Sequence, residues 1–120
     1  MLVDRWKWKK VNDTRVMNLD EGQLHRTTES GEQVCWVKLN GHLHALLDRC
    51  PHQGAALSFG WCEDGHLVCP LHRYRFDPVT GRSLDGEGER AAVLPLEVRA
   101  DGVYLGREVV GLRLFGVDIF

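Results

Sequence analysis

The sequence predicts an all-β fold, an antiparallel barrel or sandwich. Three observations carry that prediction. Four hairpin-type dipeptides, Asn40-Gly41, Asp64-Gly65, Asp85-Gly86 and Asp101-Gly102, punctuate the chain, three of them flanked directly by short β-like runs. Glycine, at 13 of 120 residues, exceeds the average of about 7%, as frequent turns require. No stretch carries the 3.6-residue apolar period of a long amphipathic helix.

Each element follows in order. Residues 5–10, Arg-Trp-Lys-Trp-Lys-Lys, interleave a basic cluster with Trp6 and Trp8, which reads as a strand with one wet face. Gln33–Leu39 leads into Asn40-Gly41, and His42–Leu47 leads out of it. His66–Cys69 follows the turn at Asp64-Gly65, and Pro95 marks a strand edge or bend. Leu96–Arg99 and Val103–Leu105 flank Asp101-Gly102 with near period-2 alternation. The C-terminal extension, about 107–120, holds Val109, Val110, Leu112, Leu114, Phe115, Val117, Ile119 and Phe120, and reads as one more strand. Two roles are open to it: covering an edge of its own barrel, or forming a homodimer or partner interface.

Length and composition bound the function. The chain, 1–120, is one domain's worth, and 43% hydrophobic with 27% charged residues excludes disorder. A net charge of −2, from 15 Lys and Arg against 17 Asp and Glu, lacks the basic footprint of a nucleic-acid binder. No apolar run reaches the length of a membrane span. The N-terminus, Met1-Leu2-Val3-Asp4-Arg5-Trp6, has no apolar signal core, so the expected compartment is the cytoplasm. In that compartment four cysteines point to metal or catalysis rather than to disulfides.

Residues 48–81 differ from the rest. They hold three of the four Cys, three of the six His and three of the four Pro, between β-hairpins, as a loop-borne site on a rigid scaffold would. Two loops carry the chemistry, Cys50-Pro51-His52-Gln53-Gly54 and Cys69-Pro70-Leu71-His72. Each offers one thiolate and one imidazole, and the intervening residues are long enough for a hairpin that sets the loops side by side. A Cys2His2 set holds either tetrahedral zinc or a [2Fe–2S] cluster with two Cys on one iron and two His on the other. Zinc fingers usually pair Cys with Cys and His with His, whereas each loop here mixes the two types.

The arrangement Cys-x-His … Cys-x-x-His resembles the Rieske iron–sulfur family. The resemblance extends through Gly54-Ala55-Ala56-Leu57-Ser58, Arg75-Phe76-Asp77 and Thr80-Gly81, and covers the chain to about residue 105. It implies a Rieske-like barrel or sandwich with a cluster-binding subdomain at about 48–81. It further implies one [2Fe–2S] cluster, with Cys50 and Cys69 on the buried iron and His52 and His72 on the outer one. Two neutral imidazoles in place of two thiolates make the cluster less negative. The potential then rises from about −400 mV to roughly −150 to +300 mV.

Differences from the high-potential members set the place in that range. Where those add a Cys to each loop, this chain has Ala55 and Leu71, and where they place Ser and Tyr after the second loop it has Tyr74 and Phe76. Phe has no hydroxyl to donate, so the expectation is a low-potential, ferredoxin-like protein. Many members have Gly after the second His, but this chain has Arg73, either a tuning or docking cation or a solvated loop residue.

The resemblance therefore implies a one-electron carrier, not an enzyme, passing electrons from a flavin reductase to a terminal oxygenase or reductase. Its runner-up is the small subunit of an assimilatory nitrite reductase, and a structural zinc module is the reading from another class. Among the remaining residues, Cys35 reads as a buried apolar side chain and Cys62 as partly exposed. His42 and His44 read as a surface pair, and neither His25 nor His66 has a partner legible in sequence.

Overall fold

The computed structural model describes residues 5–51, 54–85 and 88–109. Ten strands lie there: β1 (Arg5–Lys10), β2 (Leu24–Glu29), β3 (Glu32–Leu39), β4 (His42–Leu47), β5 (Trp61–Glu63), β6 (His66–Val68), β7 (Arg75–Phe76), β8 (Val93–Leu94), β9 (Leu96–Arg99) and β10 (Gly102–Val109). All pair antiparallel, in three sheets ordered β1-β10-β9, β2-β3-β4-β8 and β5-β6-β7. The only helical segments among the described residues are short 3-10 turns, Thr14–Asn18 and Leu57–Phe59. The all-β expectation holds.

The hairpins show how local chemistry sets register. Asn40 and Asp64 sit at φ 55° and 50°, followed by Gly41 and Gly65 at 77° and 80°, the left-handed pair that matches strand twist in a two-residue turn. Ser30-Gly31 does the same between β2 and β3 and was not among the four expected turns. At Asp101-Gly102 the register differs from expectation. Gly102 already pairs with Arg99 as the first residue of β10, so the loop residues are Ala100 and Asp101. Gly86 of Asp85-Gly86 lies outside the described residues. Pro95 is the bend expected: it separates β8 in the central sheet from β9 in the next, and its carbonyl accepts from Gly106 N at 2.9 Å.

The tail is corrected in part. Residues 107–109 continue β10 instead of starting another strand, and 110–120, with the interface expected there, lie outside the described residues.

Packing places the central sheet between two hydrophobic clusters, and β3 feeds both because its side chains alternate. Val34 and Trp36 join Val11, Val16, Leu19, Ala45, Val103 and Leu105, beneath the β1-β10-β9 sheet. Cys35, Val37 and Leu39 join Leu46, Leu57, Leu67 and Phe76, beneath the β5-β6-β7 sheet. Trp36 is fully buried, and its Nε1 donates to Thr27 Oγ1 at 2.8 Å, so it contributes its apolar area without an orphaned donor. Burial of each such large side chain stabilises by roughly 1.5–3 kcal/mol. The second cluster also contains Cys50 and Cys69, so the core of that half runs directly into the two loops.

Candidate metal centre

The two loops are built alike. In each, the N–H of the leading cysteine donates to the carbonyl five residues on, Cys50 to Ala55 at 2.7 Å and Cys69 to Tyr74 at 2.8 Å. The next residue is proline in both, which fixes φ and presents no N–H. The fourth residue after each cysteine turns left-handed: Gly54 at φ 78° in the first loop, Arg73 at φ 56° in the second, the latter preceded by His72 at φ 62°. Glycine adopts that conformation freely, whereas each side chain there costs about 1–2 kcal/mol.

The loops bring two of the expected site residues together. Cys50 and Cys69 are both buried, in the same hydrophobic cluster, close enough for the Cys50 sulfur to act on the Cys69 thiol. Burial first, and then the neighbouring Cys50 sulfur, push the Cys69 thiol up to about 11, while an N–H from Leu71 to the sulfur works the other way. His72 stands on the exposed surface of its loop, and His52 lies outside the described residues. Among the described residues no three ligating side chains gather around one point. The donors present fit a cluster held by sulfur on the inside and imidazole on the outside. Two thiols meet in an apolar pocket, an N–H is already aimed at one of them, and a histidine follows at the wet rim.

A carboxylate that sequence reasoning missed spans the base of the first loop. Asp48, two residues before Cys50, is buried and accepts from Ser58 N at 2.7 Å and Ser58 Oγ at 2.6 Å, beyond the loop's other end. Arg26 of β2 completes it, Nε to Oδ2 at 2.9 Å, and the same guanidinium lies 5.7 Å from the centre of the Phe59 ring. The available signal was an acid placed next to the Cys50 loop with a Ser ten residues on.

The other singled-out residues are structural. Cys35 is buried in the core, where burial holds its thiol far above the ordinary range, and Cys62 is half-buried and pushed up to about 11. All four cysteines are free. His25, without a partner in the sequence reading, meets Asp13 at 2.9 Å, a contact made only by the fold. His42 is exposed and His44 half-buried, with burial and then His42 lowering the His44 pKa.

Fold and paired loops together define a small iron–sulfur electron-transfer domain. The chain belongs to the Rieske [2Fe–2S] domain family, whose model matches residues 7–99. It carries one [2Fe–2S] cluster and is an electron carrier rather than a catalyst. The ferredoxin component of the naphthalene 1,2-dioxygenase system of Pseudomonas aeruginosa is 32% identical over 78 residues, 65% of this chain and 73% of that protein. The ferredoxin component of the alkene monooxygenase system of Xanthobacter autotrophicus is 31% identical over 99 residues, 82% of this chain and 81% of that protein. Among solved structures, a complex of reduced oxygenase and oxidised ferredoxin in carbazole 1,9a-dioxygenase matches with a TM-score of 0.71 at 25% identity, over 82% of this chain and 91% of that one. No helix among the described residues is long and apolar enough to cross a membrane.

Proposed function

We propose that this chain is the ferredoxin component of an oxygenase system, taking single electrons from a flavin reductase and delivering them to a terminal oxygenase. The ligands in this reading are Cys50 and Cys69 for the inner iron and His52 and His72 for the outer iron. The observation that carries it is the meeting of two buried cysteines in one hydrophobic cluster, on two loops of the same build. The bound cluster supplies reversible uptake of one electron. The protein's share is to hold the thiols in an apolar pocket, to aim the Leu71 N–H at Cys69 sulfur, and to leave the His72 loop at the surface, where an electron can leave over a short distance.

Residues 1–120 form one domain in this reading, with 48–81 as the cluster-binding part, and the cytoplasm suits four free cysteines. The potential belongs in the low class. Leu71 is exposed and Ala55 half-buried with no sulfur to bridge them, and Phe76 is buried with no hydroxyl to offer. The partners in this reading are the reductase and the terminal oxygenase; a homodimer through residues 107–120 has no support.

A redox titration followed by electron paramagnetic resonance tests the reading. The expected result is a one-electron Rieske-type signal with a potential below zero, lost when His72 is replaced by Ala. A silent protein holding zinc overturns the carrier, and a potential well above zero overturns the low-potential assignment.

A further inference from the structure

Arg73 occupies a costly position. It is the counterpart of Gly54, left-handed at φ 56°, directly after His72 and exposed. On the first loop Arg49 precedes Cys50, is likewise exposed, and lays its guanidinium beside Gly54, with Nε 3.8 Å from where a Cβ would stand. Arg15, Arg26, Arg75 and Arg99 each meet a carboxylate of their own chain. Arg49 and Arg73 form no ion pair among the described residues; Arg82 and Arg90 share that freedom, but on the 82–90 bridge and not on a cysteine loop. The acids of the β5–β6 hairpin, Glu63 and Asp64, sit at its turn.

The second loop also exposes Leu71, between Cys69 and Arg73. Leu71 is 45% exposed; Phe59, 72% exposed, lies 5.7 Å from the Arg26 guanidinium, and Trp61, 41% exposed, donates from Nε1 to Glu63 Oε1 at 3.1 Å. Gly60, between the last two, packs so closely on the second loop that a Cβ there would lie 3.2 Å from Pro70 Cδ. The two cysteine loops thus each carry one exposed arginine without an ion pair among the described residues, on a chain whose net charge is −2.

We propose that Arg49 and Arg73 form a basic rim around the point of electron exit, and that this rim, with the exposed Leu71 between Cys69 and Arg73, docks an acidic face of the redox partner. The proposal rests on the carrier reading and adds the sign of the partner's charge to it. Unpaired surface cations strengthen a local field and steer an oppositely charged partner, whereas a paired one does little. A strained arginine where glycine fits freely points to a role for its side chain, since the fold would be better served without it.

The test uses the reduced, cluster-loaded protein and two one-electron oxidants of opposite charge, tris(oxalato)cobaltate(III) and hexaamminecobalt(III), mixed by stopped flow at rising salt. Each cobalt(III) complex takes one electron from the reduced cluster and becomes cobalt(II). The expected result is that the rate with the anionic oxidant falls roughly tenfold from low to high salt while the rate with the cationic one rises, against the sign of the net charge. Arg49→Gln with Arg73→Gly should remove most of both trends, and poly-glutamate, but not poly-lysine, should slow oxidation of the parent protein. Arg73→Gly should unfold in urea at an equal or higher midpoint, as relief of backbone strain requires. Opposite salt trends, or trends indifferent to the two substitutions, overturn the rim while leaving the carrier intact. A protein that gives no reduced-cluster signal with dithionite overturns the carrier reading itself.

Discussion

Replacement of Asp48 by alanine is the most informative single change. The carboxylate is buried, with its side chain 0% exposed, and three donors converge on it from Ser58 N, Ser58 Oγ and Arg26 Nε. Each hydrogen bond to a charged group contributes about 1.5–3 kcal/mol, so the two from Ser58 amount to about 3–6 kcal/mol. Arg26 is 40% exposed and can turn to water, so its share is at most about 1 kcal/mol. Release of the carboxylate's own desolvation cost offsets part of this, leaving a net loss of about 3–5 kcal/mol. Thermal unfolding should then occur roughly 10–20 °C lower. Asp48→Asn keeps the shape and one acceptor, and should lose only about 1–2 kcal/mol. Urea unfolding followed by circular dichroism measures both. A loss under about 1 kcal/mol for the alanine variant, or equal losses for the two variants, refutes the carboxylate as the staple of the first loop.

Three further outcomes follow from the packing and the charges. Gly81 is left-handed at φ 79° and a Cβ there would lie 2.1 Å from the Ala91 carbonyl oxygen, so Gly81→Ala should cost about 3 kcal/mol or more in urea unfolding. The Arg15 guanidinium, with His25 next, holds the Asp13 carboxyl well below the usual range. A depressed carboxyl stabilises above its unfolded pKa of about 3.9, and loses that contribution as pH falls from there toward the folded value. Urea midpoints of the parent should therefore drop more steeply below about pH 4 than those of Asp13→Asn. Finally, iodoacetamide at pH 8 should leave Cys35 unmodified in the native protein and label Cys62 slowly, as mass spectrometry would show; rapid native labelling of Cys35 would contradict its burial.

Much of this was legible because the chemistry is local. Asn40-Gly41 and Asp64-Gly65 announce their turns since the left-handed pair is a property of two adjacent residues. Cys-Pro repeated at 50 and 69 announces the loops for the same reason. What was hidden depends on distance along the chain. Nothing within twelve residues of His25 names Asp13, and nothing beside Asp48 names Arg26 of β2. The likeness of Gly54 to Arg73 was also hidden, because His52 is two residues past its cysteine and His72 three. Only the matching backbone bonds of Cys50 and Cys69 set the loops in common register. At Gly102 the dipeptide was right in kind but offset by one residue, since pairing with Arg99 decides where the strand begins.

The alternation along β3 has a consequence for how the protein opens. Val34 and Trp36 belong to one hydrophobic cluster, Cys35, Val37 and Leu39 to the other, and the strand's backbone is the wall between them. Local opening on the loop side exposes Cys50 and Cys69 while Trp36 stays buried on the far side of the same strand. Such partial opening needs less free energy than global unfolding. Opening of that kind would leave the other half in shape, and the β3 amides should be the last to exchange their hydrogens. Loading of the centre would then be a local event on a standing scaffold.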